Sequence, residues 1–209
     1  MRNFAEELAY WYFRLNGFLI INDFVLHHQD LINNQSADCD LVCVRLPHTH
    51  EFIGGRIDTD WDNRIFNDRM LDKNIKIGLI CEVKAGLQVE EDDIKFDRVD
   101  RIKYCAERIG LWTQELIENN IERFKQQDIT LLETEIESTQ FGKILITDDR
   151  YRYQNNRFVN LSLKHIERFI VNKFNNYEYL DAKNGAKLFF PSNLMQYMIW
   201  KLDQRRRNR

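Results

Sequence analysis

Glu82 and Lys84 lie at the end of an apolar segment, residues 77–81, with the sequence Ile-Gly-Leu-Ile-Cys. In a β-strand, alternate side chains point to the same face, so we expect this carboxylate and this ammonium group to lie side by side. Burying such charges is costly unless they are hydrogen-bonded or bind a cation. The spacing therefore predicts a charged site at the end of a buried strand.

A second carboxylate opens an earlier apolar segment. Strand alternation places Asp40 on one face with Val42 and places Cys39 on the other face. If this segment pairs with the strand that carries Glu82, the two carboxylates converge at one end of a sheet. Asp38 shares the face of Asp40 and is the alternative second carboxylate.

Oxygen ligands of this kind suit a divalent cation. The carboxylates of Asp40 and Glu82, with the main-chain carbonyl of Val83, predict a Mg²⁺ site completed by water, in which Mn²⁺ could substitute. Such a cation lowers the pKa of a bound water and neutralises charge that develops on a phosphate. Lys84 would orient or help to deprotonate the attacking water and would stabilise the developing negative charge.

Four predicted elements position these groups. Apolar residues recur at helical spacing over residues 4–15, and Gly17 ends that helix. Three strands follow, rich in branched apolar residues, over 18–26, 39–46 and 77–85. The polar residues 48–75 predict a long excursion between the second and third strands, with a short hairpin or helix of its own.

The remaining pattern alternates between helices and strands. Helices are predicted over about 93–109 and 112–127, strands over 129–136, 143–147 and 158–161, a helix capped by Ser162, and a last helix from about Pro191. The order α-β-β-β-α-β, with further helices after it, predicts an α/β fold with a mixed central sheet flanked by helices. We expect a single domain over residues 1–209, with a core at about 1–150, an insertion at 48–75 and a C-terminal helical extension at 151–209.

Composition fits one globular domain. The chain has 209 residues, 44% hydrophobic and 30% charged, and its net charge is −3. It has four cysteines and a charged N-terminus, so we expect a reduced, cytoplasmic protein, and its apolar stretches are too short to cross a bilayer. Residues 201–209 carry a net charge of +4, which could contact phosphates or belong to a solvated helix end.

The charged residues, in this order, resemble the PD-(D/E)xK nuclease superfamily, which has the restriction-endonuclease-like fold. The chain is similar to archaeal Holliday-junction resolvases and to a small bacterial family of predicted endonucleases. In those proteins a Glu-bearing helix leads to a Gly, an Asp-bearing strand follows, and Glu-Val-Lys comes next. The matching positions in this chain are Glu6, Gly17, Asp40 and residues 82–84.

Two further (D/E)xK triplets occur, at 93–95 and 181–183, but the first begins a charged helix and the second lies in a polar turn, so neither is expected on a buried strand. The chain also departs from the family pattern in two ways. Cys39 stands where the family name has Pro, and Asp40 and Glu82 are 42 positions apart, a longer separation than usual. The excursion between the second and third strands must account for that separation.

The resemblance implies a Mg²⁺-dependent nuclease, a phosphodiester hydrolase that cuts DNA, as an endo- or exonuclease, by in-line attack of water and leaves a 5′-phosphate. It implies that Asp40 and Glu82 hold the metal, that Lys84 serves the water, and that Glu6 holds a second metal or a water. Glu7 is the alternative to Glu6. The implied partner is DNA, with no membrane; RNA stays open, and a homodimer is compatible with cutting both strands.

The same residues also allow interpretations other than a nuclease. One is a nuclease-like module that binds nucleic acid or protein without cutting, and another is a structural protein in which Glu82 and Lys84 form an ion pair at a sheet edge. Zinc could be considered at Cys39, Cys43, His48 and His50. His165 is expected to be solvated or to cap a helix.

Basic residues follow the third strand on a predicted helix. They are Lys95, Arg98, Arg101 and Lys103. They could face a phosphate backbone, or they could form a solvated surface with their acidic neighbours.

Overall fold

A six-stranded mixed sheet organises the chain in the computed structural model, which describes residues 3–25, 38–53, 56–58, 60–66, 70–86, 94, 98–148, 157–176 and 190–207. The helices are α1 (Phe4–Leu15), α2 (Val99–Ile109), α3 (Gln114–Gln126), α4 (Leu163–Asn176) and α5 (Asn193–Arg207). The strands are β1 (Leu19–Val25), β2 (Asp38–Arg45), β3 (Glu51–Ile53), β4 (Arg56–Asp58), β5 (Lys76–Lys84), β6 (Ile129–Glu133), β7 (Ser138–Thr147) and β8 (Val159–Ser162). The predicted α/β class, with a mixed sheet and flanking helices, is confirmed.

The central sheet runs in the order β1-β2-β5-β7-β6, and β8 pairs with the second half of β7. The β5–β7 and β7–β8 pairs are parallel, whereas β1–β2, β2–β5 and β6–β7 are antiparallel. β5 is therefore an interior strand with neighbours on both sides. Burial on both faces explains why its sequence is a continuous apolar run.

Helices cover both faces of the sheet. Buried residues of α1, α4 and α5 form one core with Leu41, Leu79 and Cys81. Buried residues of α2 and α3 form a second core with Val42 and Ile80 on the other face. The alternation along β2 and β5 thus divides the apolar side chains between two cores, as a sheet with helices on both sides requires.

Helix α1 has the bounds that the sequence predicts. Asn3 caps its first turn and forms a capping box with Glu6, so free main-chain N–H groups at this end are satisfied. Gly17 follows the helix with φ of +82°, a conformation that glycine adopts without strain. The chain then turns directly into β1.

Several other bounds differ from prediction. The helix predicted from residue 93 begins as α2 at Val99, because Arg98 has extended backbone angles. β6 ends at Glu133 and β7 begins at Ser138, before its predicted start, because Thr134 accepts hydrogen bonds from the main chain of Ile136 and Glu137 and so makes a tight turn. Each of these elements nonetheless overlaps its predicted range.

The excursion between β2 and β5 contains the predicted hairpin, formed by β3 and β4. Beyond the hairpin, Trp61, Ile65, Phe66 and Leu71 are buried in the core on the α1 side. The excursion is thus anchored to the sheet through its second half. No helix in the described ranges is long and apolar enough to span a membrane.

Candidate metal and phosphate site

Asp40 and Glu82 are brought together by the antiparallel pairing of β2 and β5. The last regular pair of this ladder is Leu41 with Cys81, so Asp40 is the next residue along β2 and Glu82 the next along β5. At this point Oδ2 of Asp40 accepts a hydrogen bond of 2.7 Å from the main-chain N–H of Val83. A side chain thus replaces the strand backbone as the acceptor and fixes the carboxylate beside β5.

The alternation along β2 changes next to Asp40. Cys39 packs in the α2–α3 core with Val42, not on the other face with Leu41 and Cys43 as predicted. Its Sγ lies 3.4 Å from the carbonyl oxygen of Leu41. The pairing of β2 with β1 nevertheless keeps one register through Leu41, Cys39 and Asp38. The side chain of Asp38 lies outside the described residues.

Glu82 and Lys84 form an ion pair, with Nζ of Lys84 at 2.6 Å from Oε1 of Glu82. The glutamate side chain is 6% exposed and the lysine side chain is 32% exposed, so the ammonium group is the solvent-facing member. The pair lies on an interior strand, not at a sheet edge. Isolated surface ion pairs contribute little to stability, and this position does not suit a purely stabilising role.

Burial, together with the negative charges of Glu82 and Glu6, raises the pKa of the Asp40 carboxyl to about 6. The hydrogen bond from Val83 N–H and the positive charge of Lys84 act in the opposite direction. Three acidic side chains therefore act on one another at the end of β2 and β5. A cation bound there would relieve their repulsion.

Glu6 and Glu7 point to different partners. The Glu6 carboxylate accepts hydrogen bonds from the main-chain and side-chain nitrogen atoms of Asn3, and its charge acts on Asp40. Oε1 of Glu7 instead accepts a hydrogen bond from Oγ of Ser192, at the start of α5. The Glu6 carboxylate is thus held by the helix cap, while its charge still acts on Asp40.

The four basic residues weighed as phosphate contacts separate in the structure. Burial and the positive charge of Arg98 lower the pKa of Arg101 on α2, and the charge of Glu82 acts in the opposite direction. Lys103 instead pairs with Glu118 of α3 at 2.7 Å, and Arg98 pairs with Asp100 at 3.4 Å. Lys95 lies outside the described residues. Of the described members of this set, Arg101 is therefore the one whose pKa is affected by Glu82.

The donor set fits Mg²⁺ better than zinc. Carboxylate oxygens of Asp40 and Glu82 and the Val83 carbonyl are hard ligands, whereas Cys39 and Cys43 belong to cores on opposite faces of the sheet and cannot share an ion. Across the described ranges, no three His, Cys, Asp or Glu side chains form a metal-binding group. Water and the main chain would therefore complete any coordination at Asp40 and Glu82.

A second buried polar cluster was not foreseen from sequence. Oδ2 of Asp62 accepts a hydrogen bond of 2.7 Å from the Tyr12 hydroxyl and lies 2.6 Å from Nε2 of His165. His165 is thus bonded within the protein and not simply solvated, which corrects its predicted role. Its main-chain N–H also donates to Oγ of Ser162, the predicted cap of this helix. Nothing in the sequence distinguished Asp62 from the other acidic residues of this polar excursion.

Comparisons of the chain with models of protein families, with characterised proteins and with solved structures gave no match. The site is accordingly interpreted from its own geometry.

Proposed function

We propose that this chain is a metal-dependent nuclease of the PD-(D/E)xK type that hydrolyses phosphodiester bonds of DNA. The observation that carries the proposal is the arrangement at the end of β5. Asp40 is held against Val83 N–H, Glu82 is opposite it, and Lys84 is paired with Glu82 and partly exposed. This set combines two hard anionic ligands with a cation that can reach a substrate.

Each residue has a distinct role in the proposal. Asp40 and Glu82 would hold Mg²⁺ with the Val83 carbonyl, and the ion would supply positive charge that promotes deprotonation of water and neutralises the phosphate. Lys84 would orient the attacking water and stabilise negative charge as it develops on the phosphate oxygens. Glu6 would hold a water or a second cation, and Arg101 would contact a phosphate from the α2 side.

The first test is a nuclease assay with Mg²⁺ or Mn²⁺ that compares the unmodified chain with Lys84→Ala. The substrates are supercoiled plasmid, linear duplex, single strands and a four-way junction. We expect metal-dependent cutting that falls by about 100-fold or more in the variant, because removing one group that stabilises transition-state charge has an effect of this size.

Lys76→Ala is the matched control. Lys76 occupies the other end of the same strand and also forms an ion pair, with Glu137, so its loss perturbs β5 without touching the proposed site. Cutting should persist in this variant. Equal cutting by Lys84→Ala and the unmodified chain would contradict the proposal.

A nuclease-like binding module without catalysis is the second candidate. The observation that favours it is that Glu82 already has a cationic partner in Lys84 and that Asp40 already accepts a hydrogen bond. Absence of any Mg²⁺-dependent rise in melting temperature, with nucleic-acid binding retained, would favour this candidate over the nuclease.

A further inference from the structure

Helix α5 holds two large aromatic rings in solvent. Tyr197 is 53% exposed and Trp200 is 56% exposed, and their rings are stacked with centroids 6.0 Å apart. The opposite side of the same helix is firmly anchored, because Met195, Met198 and Ile199 are buried in the α1-side core. The two rings are therefore exposed on a helix that is itself packed against the core. Exposed aromatic patches commonly mark binding surfaces.

Basic side chains extend this aromatic face toward the end of the helix. Nζ of Lys201 lies 5.9 Å from the centre of the Tyr197 ring, and Arg205 is exposed one turn further on. Residues four apart share one side of a helix, so Tyr197, Lys201 and Arg205 form a row with Trp200 beside it. The last nine residues carry a net charge of +4 in a chain whose net charge is −3.

The start of α5 is tied to the helix that carries Glu6. Oγ of Ser192 caps α5 by accepting from the main-chain N–H of Met195, and it donates to Oε1 of Glu7. Glu7 adjoins Glu6, whose charge acts on Asp40. The bond between Ser192 and Glu7 places the N-terminal end of α5, a helix about 22 Å long at 1.5 Å per residue, beside the helix that carries Glu6.

We propose that the α5 aromatic face, formed by Tyr197, Trp200, Lys201 and Arg205, binds single-stranded nucleic acid. Unpaired bases would stack on the two rings, and the basic side chains would neutralise backbone phosphates. Paired bases inside a duplex do not offer their faces to a protein side chain, so the rings select a single strand. The idea that α5 delivers a substrate strand rests on the proposed nuclease function. The binding of a single strand by α5 does not depend on that function.

Binding is measured without cleavage, in EDTA, on the full chain carrying Lys84→Ala, by fluorescence anisotropy of a labelled oligothymidylate and of a labelled duplex. We expect Trp200→Ala and Tyr197→Ala each to weaken single-strand binding by about 10-fold, the effect of losing one stacked base. Trp200→Phe should retain most of the affinity because it keeps a ring. Tyr104→Ala is the control, since Tyr104 is an exposed aromatic residue on α2, at the other face of the sheet.

The basic residues are tested through salt dependence. Lys201→Ala and Arg205→Ala should each reduce the slope of log affinity against log salt concentration by about 0.7, as expected for one phosphate contact on a single strand. Arg108→Ala, an exposed cation of α2, should leave the slope unchanged. Circular dichroism should show folded protein throughout, because all substituted side chains are substantially exposed.

Three outcomes would overturn the proposal. The first is unchanged oligonucleotide affinity in both Trp200→Ala and Tyr197→Ala. The second is that the unmodified chain binds vesicles containing phosphatidylserine and these variants do not, while their affinity for the oligonucleotide persists. The third is concentration-dependent self-association that depends on Trp200 alone. Loss of strand binding in the α5 variants, together with equal cutting by the unmodified chain and Lys84→Ala, would support the α5 surface and reject only the nuclease.

Discussion

At the scale of single residues, Asp40 is a carboxyl group whose surroundings disfavour its negative charge. Burial and the negative charges of Glu82 and Glu6 raise its pKa to about 6, even though Val83 N–H and Lys84 favour the charged form. A raised carboxyl pKa means that the folded protein binds the proton more tightly than the unfolded chain. The associated stabilisation is complete below the unfolded pKa of about 4 and is lost as pH rises through about 6.

Asp40→Asn should therefore stabilise the metal-free protein at pH 8 by about 1 to 3 kcal/mol, because the buried negative charge is removed while an acceptor for Val83 N–H is retained. The difference should shrink toward pH 4.5. Urea unfolding at both pH values, in EDTA, measures it.

Mg²⁺ provides the matching control for the same substitution. It should raise the melting temperature of the unmodified chain and leave that of Asp40→Asn unchanged, because binding to the folded state alone stabilises it. A variant that is less stable than the unmodified chain at pH 8 would argue that Asp40 is a structural hydrogen-bond acceptor only.

At the scale of elements, the site depends on how closely α2 and the turn after it approach β5. A Cβ atom added at Gly78 would lie 2.6 Å from Cη2 of Trp112 and 2.8 Å from Cγ2 of Ile109. Trp112 cannot easily withdraw, since its Nε1 donates to Oγ1 of Thr139 at 2.7 Å in the buried core. The absence of a side chain at Gly78 thus allows α2, the helix that carries Arg101, to pack closely against the strand that carries Glu82.

Gly78→Ala should lower the free energy of unfolding by about 1 to 3 kcal/mol, the range observed when a packed core must accept extra volume. Gly142→Ala is the comparison, because its nearest contact is only the end of the Leu79 side chain, which can adjust. We expect the smaller loss at Gly142, measured by chemical denaturation. Equal losses would mean that the Trp112 contact is not the limiting one.

At the scale of the whole molecule, Asp62 joins three distant parts of the chain. It bonds to Tyr12 of α1 and His165 of α4, and its main-chain N–H donates to Oδ1 of Asn16 at 2.9 Å. Burial alone would raise the pKa of Asp62, but the hydrogen bonds from His165, Tyr12 and Arg64 N–H outweigh it, and the net pKa is lowered. The network thus stabilises the ionised carboxylate and anchors the excursion between α1 and α4.

Asp62→Ala should lower the free energy of unfolding at pH 7 by about 2 to 4 kcal/mol, because the buried Tyr12 hydroxyl loses its acceptor and His165 its partner. Since the folded pKa is depressed, the stabilisation is present above the unfolded pKa of about 4 and is lost as pH falls through the folded value. The difference between variant and unmodified chain should therefore narrow in acid, which a pH series of urea titrations would show. An unchanged difference at low pH would contradict the role of the charge.

Tyr12→Phe is the milder companion, because it removes the hydroxyl and leaves Asp62 bonded to His165. We expect about 1 kcal/mol of destabilisation from the loss of a single hydrogen bond. The proposed nuclease activity should be unchanged in this variant.

Local patterns in the sequence were sufficient to locate most elements and to predict that Asp40 and Glu82 lie at the same end of the sheet. Residues 4–15 form the predicted helix because apolar spacing and the Asn3 cap act within the segment itself. Asp40 and Glu82 were predicted to converge because strand alternation and neighbouring pairing are simple rules, and the β2–β5 ladder follows them up to Leu41 and Cys81. Lys84 was expected beside Glu82 for the same reason, and it lies there.

Only the tertiary structure decided the features that depend on distant packing. Glu7 is bonded to Ser192 at the start of α5, 185 positions along the chain, whereas the Glu6 carboxylate is bonded to Asn3 within its own helix. The pairing of Asp62 with His165 spans 103 positions, so no periodicity within either segment could predict it. The Asp40 pKa likewise depends on burial and on charges from other elements, which only the folded arrangement of those elements determines.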